Sequence, residues 1–187
     1  MKFSRAEIPD IIIIEPDVFS DERCYFFESF KQNELNEFLG FDINFCQDNE
    51  SKSTYGVLRG LHYQETPFAQ AKLVRVIQGS VLDVAVDIRK NSSTFGKHIS
   101  IELNDQNKKQ LFIPRGFAHG FVVLSENAVF SYKVDNYYNG EFDRGIAFDD
   151  PALKINWKLK KSDILISDKD INQPSFDDIK FNKHIND

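Results

Sequence analysis

Hydrophobic and polar residues alternate with a period of two over much of this chain. Leu82, Val84, Val86 and Ile88 interleave with Val81, Asp83, Ala85 and Asp87, as in a strand whose two sides meet different surroundings. Residues 71–78 alternate in the same way, and Gly79-Ser80 between the two runs predicts a two-residue hairpin. Further strands are expected over 24–30, 41–47, 98–103, 109–113, 119–124 and 127–134, and the apolar run 11–14 has strand length. Asn104-Asp105, Pro114, Gly116 and Glu126-Asn127 punctuate them. One helix is predicted over 31–39, with Gly40 as its stop. Many short strands at close spacing imply a sandwich or barrel. From about Asp150 the pattern turns irregular, and the last dozen residues, rich in Asp, Lys and Asn, predict a peripheral tail over 175–187.

Composition narrows this picture. A chain of 187 residues suits one domain with a sizeable core, here taken as 1–187. Eighteen phenylalanines favour broad β surfaces packed by aromatic rings. A net charge of −6 argues against general affinity for nucleic acid or a membrane surface, so any anion must be held by particular basic residues. No apolar run approaches the roughly 18 residues needed to cross a bilayer, and the first residues lack the apolar core of a secretory signal. Two cysteines allow at most one bridge, which fits a reducing cytoplasm better than a disulfide framework.

Candidate chemistry gathers in the stretch 54–64, Thr-Tyr-Gly-Val-Leu-Arg-Gly-Leu-His-Tyr-Gln. Arg59 and His62 sit on an otherwise apolar scaffold, where unpartnered charge is rare. Their odd spacing puts them on opposite faces of a regular strand, so a bulge or twist at Gly60 is required to bring both to one pocket. Of the four histidines, His98 reads as an ordinary strand residue and His184 as a tail residue, whereas His62 and His119 each lie near a glycine. One histidine in each place is too few for a zinc or iron site, and Lys72 would repel a cation, so no metal is expected. Neither cysteine has a neighbour that would activate it, and no phosphate loop or nucleophile elbow is present. What remains is acid–base chemistry: His62 as a base, Lys72 as an electrostatic stabiliser, and Tyr132 as an acid or simply a core tyrosine.

At these residues the chain resembles the dTDP-4-dehydrorhamnose 3,5-epimerases, cupin-class enzymes of rhamnose biosynthesis. The resemblance runs from about Asp21 to Pro174. It is carried by Asp21-Glu22-Arg23, Gly56-Val57-Leu58-Arg59-Gly60-Leu61-His62-Tyr63-Gln64, Ala69-Gln70-Ala71-Lys72, Pro114-Arg115-Gly116-Phe117-Ala118-His119-Gly120-Phe121 and Ser167-Asp168-Lys169-Asp170. It implies an all-β, cupin-type β-barrel (a jelly roll, or double-stranded β-helix) with a few short peripheral helices. It also implies epimerisation at C3 and C5 of a dTDP-linked 4-keto sugar without metal or other cofactor. By the same resemblance His62 is the base, Asp170 the carboxylate that orients it, Lys72 the group facing the C4 oxygen, and Tyr132 the acid. Arg23, Phe26, Glu28, Gln47, Asn49, Arg59, His119, Tyr138, Asp143 and Lys169 are implied to bind substrate. A homodimer is implied as well, with residues 1–30 in contact with the partner, working in cell-surface carbohydrate (lipopolysaccharide or O-antigen) synthesis. Cys24 stands where the family usually has glycine, Asp143 where Glu is commoner, and Trp157-Lys158 where Trp-Pro is usual. Two alternatives stay open: a relative that epimerises one carbon only or acts on another nucleotide-linked 4-keto sugar, and a non-catalytic sugar-nucleotide-binding cupin.

Overall fold

Two antiparallel sheets face one another in the computed structural model, which describes residues 1–179. The chain begins with β1 (Lys2–Arg5), β2 (Ile12–Glu15), a small hairpin of β3 (Phe19–Asp21) and β4 (Cys24–Phe26), and helix α1 (Gln32–Leu39). It continues through β5 (Gln47–Thr54), β6 (Leu58–Gln64), β7 (Lys72–Gln78) and β8 (Ser80–Asp87). Then follow β9 (His98–Asn104), β10 (Gln110–Ile113), β11 (Phe117–Val123), β12 (Asn127–Val134) and β13 (Asp143–Gly145). A single 3₁₀ turn and two one-turn helices, α2 (Asp168–Ile171) and α3 (Phe176–Ile179), close the described chain. One sheet has the order β1-β2-β10-β7-β12-β5 and the other β13-β6-β11-β8-β9; β3 and β4 pair only with each other. This is the expected jelly-roll architecture, with two packed sheets rather than a barrel closed by hydrogen bonds.

The alternation in sequence becomes three apolar layers. Between the sheets, Val74, Val76, Leu111 and Phe130 meet Val81, Ala85, Phe117 and Phe121. The opposite phase of β8 (Leu82, Val84 and Val86) faces outward and is covered by Phe148, Trp157 and Phe176 from the C-terminal segment. Outside the six-stranded sheet, Ile12, Leu73 and Phe112 pack beneath Leu35 of α1. Helix α1 stops where expected: Gly40 takes the left-handed conformation (φ +81°), and its N–H donates to the Asn36 carbonyl at 2.9 Å.

Four expectations are corrected. Gly79-Ser80 does not close a hairpin; β7 and β8 belong to different sheets, and the glycine carries the chain from one to the other. A Cβ at Gly79 would lie 2.1 Å from the Asn127 carbonyl oxygen, so the crossing needs glycine. The predicted strand over 41–47 is irregular; the strand begins at Gln47 and runs through polar residues to Thr54. Within 24–30 only Cys24–Phe26 is paired. The start of the expected tail is anchored, because Phe176 and Ile179 are buried in the outer layer; His184 lies outside the described residues.

Candidate active site

Strand β6 departs from regularity where the site requires it. His119 of β11 pairs with His62, and Phe121 pairs with Arg59, so β6 carries one more residue than β11 over this interval. The extra residue is a bulge at Gly60, where φ is +135° and a Cβ would meet Gly120 Cα at 2.5 Å. Because of it Arg59 and His62 line the same cavity. The guanidinium of Arg59 donates from Nε to Ser53 Oγ of β5 at 3.2 Å, reaching toward the opposite sheet.

His62 is held by a carboxylate from far along the chain. Its Nε2 lies 2.6 Å from Asp170 Oδ1, and the bulge's own Gly60 N–H donates to Asp170 Oδ2 at 3.3 Å. Ser167 caps α2 through its hydroxyl, accepting from the Asp170 N–H, and a parallel bridge between Val57 and Leu165 fixes the segment leading into it. Burial pushes the Asp170 carboxyl up. The hydrogen bond and charge of His62, the Gly60 N–H and Lys169 outweigh that burial and leave the pKa below the usual range. Nδ1 is then the ring nitrogen left for chemistry.

The facing sheet supplies the other groups. Lys72 on β7 and Tyr132 on β12 share the inward phase with Val74 and Phe130, as the alternation predicts. Lys72 Nζ donates to the His62 carbonyl at 3.3 Å. Burial lowers its pKa to about 8, against the charges of Asp143 and Asp83, which raise it. Burial pushes the Tyr132 phenol up, with Arg59 opposing. The cavity between the sheets measures about 430 Å³, within the range of small-molecule sites.

Of the remaining implied residues, Asn49, His119 and Lys169 line this cavity. Gln47, Tyr138 and Asp143 continue its rim. Gln47 donates to Asn49 at 2.8 Å and accepts from the Tyr138 N–H at 3.2 Å, while Asp143 accepts from Lys169 Nζ at 2.5 Å and from the Tyr138 hydroxyl at 3.2 Å. Arg23, Phe26 and Glu28 are elsewhere. Arg23 and Phe26 belong to the exposed β3–β4 hairpin and its turn, where Arg23 pairs with Asp21; Glu28 pairs with Lys31 at 2.6 Å. Asp83 is the residue that sequence reasoning passed over. It is wholly buried beside His119, with Oδ2 2.8 Å from Nε2. Its position in the inward phase of β8 was readable; its proximity to an imidazole on another strand was not. Among the described residues, no three His, Cys, Asp or Glu side chains converge as a metal site.

A cupin-type jelly roll with a carboxylate-bound histidine on one sheet and a lysine and tyrosine on the other defines the class: an acid–base enzyme of the cupin fold. The family described as dTDP-4-dehydrorhamnose 3,5-epimerase matches residues 5–178, and the chain belongs to it. The dTDP-4-dehydrorhamnose 3,5-epimerase of Shigella flexneri is 53% identical over 181 residues, covering 97% of this chain and 99% of that protein. The crystal structure of the same enzyme from Elizabethkingia anophelis superposes with a TM-score of 0.93 at 53% identity, covering 97% and 99% of the two chains. The Legionella pneumophila dTDP-6-deoxy-D-glucose-3,5-epimerase, solved in complex with dTDP-4-keto-L-rhamnose, gives 0.91 at 45% identity, covering 94% and 93%.

Proposed function

We propose that this isomerase inverts C3 and C5 of dTDP-4-dehydro-6-deoxy-D-glucose, yielding dTDP-4-dehydro-L-rhamnose. The observation that carries the reading is the placement of His62 and Tyr132 on facing sheets around one cavity. Inversion requires a proton to leave one face of a carbon and another to arrive on the opposite face. The C4 ketone acidifies the hydrogens on C3 and C5, so His62 removes one and an enolate forms. Asp170 holds the imidazole in orientation and balances its positive charge. Lys72, protonated below about pH 8, faces the developing C4 oxyanion. Tyr132, kept protonated by burial, returns a proton from the other side.

Arg59, with Gln47, Asn49, His119, Tyr138, Asp143 and Lys169, binds the nucleotide-sugar, and the guanidinium suits its diphosphate. Arg23, Phe26 and Glu28 serve the pocket of a second copy in a homodimer. This is supported by the exposed apolar surface of their hairpin, where Phe19 and Phe26 are 62% and 67% accessible. Cys24 and Cys46 are both free and exposed, which supports work in a reducing cytoplasm on precursors of surface carbohydrate.

The test is turnover of dTDP-4-dehydro-6-deoxy-D-glucose in deuterated water, followed by NMR. Deuterium at C3 and C5 is the expected result. Deuterium at one carbon identifies a single-carbon epimerase, and none leaves a binding protein.

A further inference from the structure

The acid–base scheme leaves one buried charge without a task. Asp83 is 0% exposed, in the inward phase of β8 between Val81 and Ala85, where an apolar residue would pack without penalty. Its Oδ2 meets His119 Nε2 at 2.8 Å, and its Oδ1 has no hydrogen-bond partner among the described residues. A fully buried carboxylate oxygen left open is rare and calls for a reason. Two neighbours supply one.

The first is His119. A carboxylate only accepts, so the Nε2 beside it carries the proton. Burial, with the charges of Lys72 and His62, lowers the His119 pKa against the opposing pull of Asp83. The neutral ring therefore has a bare Nδ1, for which the protein offers no partner among the described residues. His119 stands directly across from His62 in the strand pairing and lines the same cavity. The site thus holds two imidazoles side by side, each with Nε2 on a carboxylate and Nδ1 available.

The second is Lys72. It is faced by the His62 carbonyl from β6, Asp83 from β8, His119 from β11, Tyr132 from β12 and Asp143 from β13. Only Asp83 and Asp143 bring opposite charge, and Asp143 is already engaged by Lys169 and Tyr138. Asp143 exerts the larger pull but holds both of those contacts on Oδ2 at the rim, whereas Asp83 is wholly buried and its Oδ1 has no hydrogen-bond partner among the described residues.

The geometry assigns Asp83 as a positioning residue of the sugar site: it fixes His119 as a neutral acceptor for a sugar hydroxyl and, from beneath the cavity, adds to the counter-charge that Asp143 brings to Lys72. This deepens the epimerase reading and rests on it for the identity of the sugar.

The test uses Asp83→Asn in the full chain. The amide can still accept from His119 Nε2 but carries no charge. The alkaline limb of kcat/KM, set by loss of the Lys72 proton, is expected to move down by on the order of one pH unit. The thermal midpoint serves as the control for folding. A limb that stays in place in a folded variant overturns the counter-charge role. In ¹⁵N-histidine-labelled wild-type protein, His119 is expected as the Nε2–H tautomer near neutral pH; the Nδ1–H tautomer overturns the proposal even if the variant does not fold. An NMR titration of the Lys72 side chain, with and without Asp83→Asn, needs no substrate. It separates failure of this inference from failure of the epimerase reading, which would appear as inactive wild-type protein with the expected tautomer and Lys72 shift.

Discussion

Asp170 and Arg23 are both assigned to one reaction, yet their surroundings are opposite. The Asp170 side chain is 6% exposed, spans 108 residues of sequence to reach His62, and accepts from a backbone N–H as well. The Arg23 side chain is 84% exposed, and its ion-pair partner is Asp21 in the same turn. The groups assigned to proton transfer are thus fixed within one chain by two sheets and the segment covering them. The groups assigned to the nucleotide's far end project outward on a hairpin with no sheet neighbour. The proposed chemistry is pre-organised here, whereas Arg23 and Phe26 lie outside the cavity of their own chain.

His62→Ala should have the largest effect, lowering turnover by roughly 10⁴-fold and abolishing deuterium exchange at both carbons. Exchange that survives at either carbon would show a second base and end the idea of a self-contained proton-transfer corner. Lys72→Ala should cost roughly 10²–10³-fold in kcat. In the wild type, kcat/KM should fall as pH rises through about 8, because the buried ammonium loses its proton there. Activity that stays flat to pH 9.5 would remove Lys72 as the electrophile.

Tyr132→Phe sharpens the same side of the comparison. C5 inversion should slow by roughly 10²-fold while some deuterium still washes in. Full inversion in that variant would assign the acid elsewhere. On the arm, Arg23→Ala should raise KM about tenfold with kcat nearly unchanged, as for a group that binds ground and transition states alike. Mixing this variant with His62→Ala should restore a low-KM fraction, because a hybrid dimer joins an intact arm to an intact corner. Absence of restoration would place Arg23 in its own chain's site. The smallest effect is expected at Cys24, whose φ of +95° suits glycine. Cys24→Gly should raise stability by about 0.5–1 kcal/mol, measured by urea unfolding.

The sequence showed more of the scaffold than of the site. Alternation located β7, β8 and β12 because their two faces meet different apolar layers. It failed at β5, where Gln47, Asn49, Ser51 and Ser53 form the inner phase; a strand that borders a polar cavity has no hydrophobic period to detect. Gly79-Ser80 misled because a glycine that lets strands fold back and one that lets a chain change sheets look alike in sequence. The three-residue spacing of Arg59 and His62 did contain its own answer. If both serve one pocket the strand must bulge, and Gly60 bulges. The partnership of His62 with Asp170 came only through resemblance to a family, since no local rule reaches across 108 residues.

The C-terminal segment that supplies Asp170 also roofs the outer face of the five-stranded sheet. It is stitched down by Trp157 Nε1 to the Phe148 carbonyl at 2.8 Å and by the Phe176 N–H to Asp150 at 2.7 Å. A chain cut short before residue 148 therefore loses two things together. Leu82, Val84 and Val86 become a bare greasy strip, and His62 loses its carboxylate. The cover of the apolar face and the carboxylate on His62 are soldered to the same stretch of polypeptide, so an unfinished product of synthesis lacks both at once.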